Sequence, residues 1–349
     1  MISDAVLLAL RDTGLDPEMV VDVVARALDE DLGGGPDVTA TATIPAATLG
    51  RADAVPRRAG VIAGLAVAAY VFEVVGSGRL RTEALVPDGA RVDAGQPVLA
   101  VRGPVRDIVT GERTALNLLG HLSGIATLTR SWVDAVAGTG AVVRDTRKTT
   151  PGLRALEKYA VRCGGGTNHR MSLSDAALIK DNHVTAAGGA AAAFDLVRRY
   201  LGTNNIGAHN LGDHSLGDHN AGDHNLGAQN LGAQSLGDHS LGDHTLARRP
   251  APAVPIEVEV DTIAQCREAV DAGAELVLLD NMAADETGLA DMRVCVEYAR
   301  AGGARTEASG GLTIERARAV AETGVDFIAV GALTHSAPVL DIGLDLVGP

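Results

Sequence analysis

The sequence predicts an α/β protein in which a small sheet-plus-helix domain is followed by parallel βα units arranged as a barrel. Three observations carry this reading. Short apolar runs at residues 141–143, 178–179, 256–260, 276–279 and 327–330 alternate with amphipathic segments such as 262–272 and 313–323. Continuous apolar runs of that length belong to parallel strands buried on both faces. Just beyond the runs lie polar clusters: Asp145-Thr146-Arg147-Lys148, Lys180-Asp181-Asn182-His183, Asp280-Asn281, Ser309-Gly310-Gly311 and Gly331-Ala332. In α/β barrels the strand C-termini share one rim, so these clusters converge on one pocket. Finally, no Gly-x-Gly-x-x-Gly follows any run, which leaves the rival doubly wound sheet without its fingerprint.

In chain order, residues 1 to about 30 are predicted helical, stopped by Asp29-Glu30-Asp31-Leu32-Gly33-Gly34-Gly35-Pro36. Residues 37–105 change pattern. Short β-leaning runs at 51–55, 60–63 and 97–101 surround one helical stretch at 66–75, with turn signals at Pro87-Asp88-Gly89 and Asp93-Ala94-Gly95-Gln96. Residues 111–136 are apolar at 115, 116, 119, 122, 126 and 133, a helical spacing that leads into the second domain. The division is 1–120 for the first domain and 121–349 for the barrel, with the extreme C-terminus packing back on the first.

The barrel half is interrupted at 201–247. There the chain repeats every five residues as Leu-Gly-Asp-His-Asn or a near variant, without Lys or Arg. A pentapeptide-repeat β-helix buries a small residue two places before each Leu, and here that place is mostly His or Gln. A solvated disordered loop is expected, because one Leu in five cannot offset the ordering entropy. Its six histidines (209, 214, 219, 224, 239, 244) then have only incidental affinity for divalent metals.

Composition excludes several classes. A formal charge of −14 and 2% aromatic residues argue against nucleic-acid binding. Three scattered cysteines (Cys163, Cys266, Cys295) suggest neither disulfides nor zinc, and fit a reducing cytoplasm. The apolar patch at 5–10 follows Asp4 without a basic flank, against a signal peptide, and no run is long enough to span a bilayer. Against this acidic background residues 144–180 stand out, with eight Lys/Arg (144, 147, 148, 154, 158, 162, 170, 180) facing only Asp145, Glu157 and Asp175. A buried parallel strand seldom ends in adjacent cations unless an anion binds there. The plainer alternative is a solvated strand end with salt bridges to Asp145 and Glu157. His121 and His335 read as polar groups of helix or loop, and Trp132 as core.

The blocks Asp145-Thr146-Arg147-Lys148-Thr149, Gly164-Gly165-Gly166-Thr167-Asn168-His169-Arg170 and Leu178-Ile179-Lys180-Asp181-Asn182-His183 closely resemble signatures of the quinolinate phosphoribosyltransferases. So do Glu30-Asp31-Leu32-Gly33, Glu112-Arg113-Thr114, Val258-Glu259-Val260, Leu279-Asp280-Asn281, Ser309-Gly310-Gly311 and Val330-Gly331-Ala332-Leu333-Thr334-His335-Ser336, in order along nearly the whole chain outside the repeat. The resemblance implies a sandwich-like N-terminal domain, an incomplete barrel, and a homodimer, alone or within a higher oligomer, with sites shared between subunits. It implies transfer of phosphoribosyl from 5-phosphoribosyl 1-diphosphate to quinolinate with decarboxylation, giving nicotinate mononucleotide.

By the same resemblance Arg113, Arg147, His169, Arg170 and Lys180 hold quinolinate or the leaving diphosphate, with Thr146 beside them and Lys148 at the reacting centre. Glu259 and Asp280 hold the ribose hydroxyls. Glu257 shares a strand face with Glu259, either as support for it or only as a charge in the barrel lumen. Ser309, Gly310, Gly311, Gly331 and Ala332 offer backbone N–H groups to phosphate. Magnesium enters with the diphosphate rather than on a defined protein site, and the quaternised ring nitrogen accepts the electrons of decarboxylation, so no organic cofactor is needed. Two other enzyme readings stay open: a phosphoribosyltransferase for another small aromatic acid, and a Schiff-base aldolase using Lys148 or Lys180. In a third, the repeat is a metal- or partner-binding module and the rest its scaffold.

Overall fold

A computed structural model describes residues 3–204 and 254–347. The expectations for the centre of the repeat, namely its disorder, the β-helix alternative and its metal affinity, lie outside these residues.

The N-terminal helical stretch is two helices, not one: α1 (Asp4–Asp12) and α2 (Pro17–Leu32). Gly14, at φ 73°, turns the chain in a conformation that costs glycine little. Asp16 then caps α2 by accepting the Glu18 N–H at 3.0 Å, and Pro17 fills the first turn, where its missing donor is not needed. Gly33 ends α2 in the left-handed region at φ 53°. A short α3 (Val38–Thr43) follows, capped by Asp37.

The first sheet contains β1 (Leu49–Pro56), β3 (Arg81–Ala84) and β5 (Leu99–Pro104), with β2 (Gly60–Val61) and β4 (Arg91–Val92) forming a separate ribbon. Helix α4 (Leu65–Gly76) packs on the long α5 (Val105–Ala135), where Phe72 and Gly111 meet. The fourth strand of the sheet comes from the other end of the chain. β12 (Ile342–Val347) pairs antiparallel with β1, placing Val347 opposite Arg51 and Ile342 opposite Pro56. The order is β12-β1-β5-β3.

The second sheet is parallel throughout. It joins β6 (Val142–Arg144), β7 (Ala177–Ile179), β8 (Ile256–Val260), β9 (Leu276–Asp280), β10 (Arg305–Ser309) and β11 (Phe327–Ala329) in the order β6-β11-β10-β9-β8-β7. Helices α6 (Arg154–Cys163), α7 (Asp181–Ala187), α8 (Ala190–Asn204), α9 (Ile263–Asp271), α10 (Glu286–Ala301), α11 (Ile314–Ala321) and the single turn α12 (Ala332–His335) connect the strands. The two edge strands, β6 and β7, are neighbours in sequence, and a lone parallel bridge joins Arg144 of β6 to Thr167 of the segment between them.

The sheet curls. In a flat sheet β6 and β8 would stand four spacings apart, about 19 Å. Yet His169, two residues past the bridged Thr167, lies 2.9 Å from Glu257 of β8. The predicted α/β class, with a sandwich-like first domain and an open barrel, describes this architecture. In the parallel sheet one strand escaped the apolar pattern: β10, Arg-Thr-Glu-Ala-Ser, sits mid-sheet with Thr306 and Glu307 buried.

Candidate active site

The cations that made residues 144–180 conspicuous divide into two groups, because successive side chains leave β6 and its extension in different directions. Four are structural. Arg144, 2% exposed, points into the lumen, binds Glu307 and stacks over Phe327 at 4.6 Å. Lys158 of α6 forms a fully buried ion pair with Asp145 and donates to the His169 carbonyl at 2.9 Å. Arg154 donates to Thr149 Oγ1 at 3.0 Å and the Met171 carbonyl at 2.9 Å. Arg162 binds Asn168 Oδ1 at 2.8 Å and the Thr13 carbonyl at 3.0 Å. Glu157, also buried, pairs with His121 at 2.9 Å and accepts the Thr150 N–H at 3.0 Å.

The salt bridges of the plainer reading therefore exist, but they serve Lys158 and His121. They leave Arg147, Lys148, Arg170 and Lys180 at the rim. Arg147 is the most telling of these, since its Nε is buried without a hydrogen-bond partner among the described residues. A guanidinium N–H withheld from both water and protein awaits an acceptor. Arg170, whose Nη1 donates to the Ala176 carbonyl at 2.8 Å, is pushed below the usual arginine range by burial and by the neighbouring Arg147. Two guanidiniums this close repel, which favours an anion between them.

Lys148 is exposed, and its backbone is fixed at both ends. Its N–H donates to Thr146 Oγ1 at 3.0 Å and its carbonyl accepts from Thr334 Oγ1 at 2.8 Å. A Cβ added at Gly331 would come within 3.0 Å of Lys148 Cδ, so that glycine leaves room for the lysine. Lys180, at the start of α7, forms an ion pair with Glu259 of β8. Asp280, closing β9, accepts from Asn281 Nδ2 at 2.6 Å.

Asn281 adopts φ 56° and donates its N–H to the Ser309 carbonyl at 3.0 Å, interlocking the ends of β9 and β10. Gly310, at φ 84°, has no room for a side chain, because Asn281 Oδ1 lies 2.3 Å from the position of its Cβ. With Gly311, at φ 58°, it forms a bare backbone turn at the rim. Helix α11 starts three residues later, at Ile314, so the 309–311 turn is not itself a helix N-terminus. Ala332 opens the four-residue α12, with Gly331 as its N-cap.

His169 is only 8% exposed. Its Nδ1 accepts the Arg170 N–H at 2.7 Å, so the ring is neutral with its hydrogen on Nε2. Nε2 lies 2.9 Å from Glu257 and 3.4 Å from Glu307. Burial, chiefly, lowers the imidazole to about 4. Both ring nitrogens thus serve protein groups. Glu307 drew no notice in the sequence, because it lies on the one strand of the parallel sheet without apolar patterning. One potential ligand atom from each of His169, Glu257 and Glu307 lies within 4.8 Å of the others, the spread of a metal site. The Arg144 guanidinium and the imidazole N–H already occupy that space.

Arg113 is not brought to this rim. Its part of α5 is held in the N-terminal domain, where Thr114 donates to Asp31 at 3.1 Å and Gly111 packs on Phe72. The side chain is 64% exposed and its ion-pair partner is Glu112 at 3.9 Å. Clefts of about 300 and about 500 Å³ lie along the N-terminal helices and contain none of the rim cations.

Comparison with known proteins agrees with this layout. Residues 37–123 match the family model for the N-terminal domain of quinolinate phosphoribosyl transferase, and residues 125–212 with 244–345 match that of its C-terminal domain. Residues 201–243 match a model of pentapeptide repeats. The chain is 44% identical, over 99% of its length and 100% of the relative's, to the nicotinate-nucleotide pyrophosphorylase [carboxylating] of Mycobacterium leprae. It is 35% identical to a mitochondrial quinolinate phosphoribosyltransferase [decarboxylating] of Nicotiana tabacum, covering 93% of this chain and 81% of that one. The solved nicotinate-nucleotide pyrophosphorylase of Francisella tularensis superposes with a TM-score of 0.75 at 31% identity, covering 95% of this chain and 98% of the other.

Proposed function

The chain belongs to the quinolinate phosphoribosyltransferase family, and from that premise we propose how its rim handles two polyanionic substrates. It is a pentosyltransferase of NAD biosynthesis: it moves the phosphoribosyl group of 5-phosphoribosyl 1-diphosphate to quinolinate with decarboxylation, giving nicotinate mononucleotide, diphosphate and carbon dioxide. Neither lysine fits the aldolase alternative. A Schiff-base lysine needs an apolar pocket or a cationic neighbour that lowers its pKa, whereas Lys180 is salt-bridged and Lys148 exposed.

The observation that carries the assignment of roles is the buried, unpartnered Nε of Arg147 beside Arg170. In our reading these two guanidiniums grip the carboxylates of quinolinate, with Lys180 and the partner subunit's Arg113 completing the cage and His169 holding Arg170 in place. Arginine suits this task because its planar fork meets a carboxylate through two hydrogen bonds. Glu259 and Asp280 accept from the ribose hydroxyls. Because Glu259 holds Lys180 in the free protein, ribose and carboxylate exchange partners together: each substrate releases the side chain that the other needs. Thr146 and the backbone at Ser309, Gly310, Gly311, Gly331 and Ala332 receive the phosphates.

The pyridine nitrogen attacks the anomeric carbon as diphosphate leaves, and Lys148 offsets the negative charge moving onto the leaving group. Carbon dioxide then departs from the ring carbon beside that nitrogen. The bonding pair stays on the ring carbon, next to the positive nitrogen, until a proton replaces it. The protein contributes position and electrostatics. Magnesium is taken to arrive bound to the diphosphate, since this ion is usually held through substrate phosphates and water with one or two carboxylates rather than by a protein cage. We place the working enzyme in the cytoplasm as a homodimer whose Arg113 acts across the interface. In support, no helix among the described residues is long and apolar enough to cross a membrane, and Arg113 lies apart from its own rim.

The test uses quinolinate labelled at the carboxylate next to the ring nitrogen. Labelled carbon dioxide should be released only with phosphoribosyl diphosphate and magnesium present, one for each nicotinate mononucleotide formed. Product without carbon dioxide release would refute the reading.

A further inference from the structure

Below the rim, where the strands curl together, the charges do not balance by hydrogen bonding alone. Glu257 of β8 and Glu307 of β10 are 3% and 0% exposed. Arg144 binds Oε2 of Glu307, and the His169 Nε2–H lies 2.9 Å from Oε2 of Glu257. That leaves Oε1 of each glutamate buried without a hydrogen-bond partner among the described residues. His169 has nothing further to give, because its Nδ1 is an acceptor for the Arg170 N–H. A buried carboxylate oxygen with no donor is costly, and a proton is the smallest thing that removes the cost.

We propose that Glu257 and Glu307 hold one proton between them and so act as positioning residues for quinolinate, keeping the floor of its pocket at a single negative charge that Arg144 balances. Arg147 and Arg170 are then left to bind the substrate rather than the floor. This rests on the reading of the rim as the quinolinate site.

The surrounding electrostatics agree. Burial, first of all, raises both carboxyls to about 7, and for Glu307 the charge of Glu257 adds to it. The charged groups acting on the pair are Arg144 at the end of β6, His169 and Arg170 before β7, Lys180 after it, and Glu259 on β8; Asp145 and Lys158 act on the neighbouring His169. Asp145 and Lys158 neutralise each other, as do Lys180 and Glu259. As pH rises through about 7 the shared proton leaves, a second negative charge appears under a dianionic substrate, and binding weakens. A divalent cation is a poorer occupant than a proton, because the guanidinium on Glu307 repels it.

The experiment is a pH series of KM for quinolinate and of kcat, from about pH 6 to 9, at saturating phosphoribosyl diphosphate and magnesium. Quinolinate's own carboxylates stay ionised throughout. For the wild type KM should climb above about pH 7, by at most tenfold per pH unit for one proton, while kcat changes less. Glu257→Gln keeps an acceptor for His169 but cannot ionise, so the floor never carries more than one negative charge and KM at pH 9 should fall below the wild-type value. A Glu257→Gln KM at pH 9 equal to or above that of the wild type overturns the proposal.

If that variant does not fold, the infrared band of a buried protonated carboxyl in the wild type decides. It should be present at pH 6 and lost by pH 9, and its absence at pH 6 overturns the shared proton. Arg170→Ala separates the two layers of argument. A KM for quinolinate unchanged in that variant would sink the rim assignment, whatever the infrared band shows.

Discussion

Replacing Lys158 with Met should unfold the protein far more readily while leaving every rim cation in place. Lys158 and Asp145 are both fully buried and paired. Burial pushes the Asp145 carboxyl up and the Lys158 ammonium down, each against the pull of its partner. Methionine fills the volume of the lysine stem but strands a buried carboxylate, which keeps only the Asn168 Nδ2 donor at 2.6 Å and the His169 N–H at 2.8 Å. Breaking a buried pair from one side costs about 3–5 kcal/mol. At roughly 1.5 °C per kcal/mol, from about 2.1 cal/mol/K of unfolding entropy per residue, the melting temperature should fall by about 4–8 °C.

Adding Asp145→Leu removes the stranded charge and should recover about half of the loss, the rest being the price of two unmet donors. Activity should not recover with it. Lys158 and Asp145 hold the carbonyl and the N–H of His169 from opposite sides, so the double variant no longer fixes the ring on which Arg170 rests. Calorimetry and steady-state turnover on both variants read this out. If stability and activity return together in the double variant, the pair has no positioning role and the reasoning is wrong.

Lys148→Ala and Arg170→Ala should lose turnover by orders of magnitude while melting within a few degrees of the wild type, because Lys148 makes no ion pair among the described residues and Arg170 gives up a single hydrogen bond. A large fall in melting temperature with activity preserved would mean that they are structural cations like Arg154. Gly310→Ala puts a Cβ where Asn281 Oδ1 sits, 2.3 Å away, in a φ of 84°, so the end of β9 must shift and KM for phosphoribosyl diphosphate should rise at least tenfold; an unchanged KM argues against a ribose role for Asp280. Deleting residues 203–245 should leave a folded, active enzyme, since loop length affects stability by only about 0.6 kcal/mol per doubling. Insolubility or loss of most activity would show that the repeat is structural.

The legible parts of the fold were those where burial alone dictates residue type. β9 is an apolar run because both faces are covered, and β8 keeps an apolar signal in Ile256, Val258 and Val260 although Glu257 faces the lumen; the bounds of both follow from the sequence to within a residue. β10 was illegible as a strand because its buried side chains are polar: Glu307 faces a polar lumen and the Thr306 hydroxyl donates to Asp326 at 3.3 Å, so the apolar signal is gone. The break between α1 and α2 was written in Gly14, Asp16 and Pro17, but the amphipathic period continues across it and hides it.

In the site, composition pointed to the right stretch and could not sort it. Arg144 and Arg147 are alike as letters, and only the register of β6 sends one into the lumen and leaves the other at the rim. The role of His169 is equally invisible without its partners, two of which lie on strands more than eighty residues away.

That the site is completed across a subunit interface is the claim the placement of Arg113 tests most directly, since this arginine lies on α5 of the N-terminal domain with Glu112 alone as its ion-pair partner among the described residues. Arg113→Ala and Lys148→Ala enzymes, each inactive alone, are mixed under conditions that exchange subunits. In a two-fold dimer each mixed pair has one site with both defects and one with neither. Random exchange at equal amounts should restore about a quarter of wild-type sites. If exchange is verified, for instance by mass spectrometry of differently labelled subunits, and no activity returns, then Arg113 does not act across the interface and the shared site is contradicted.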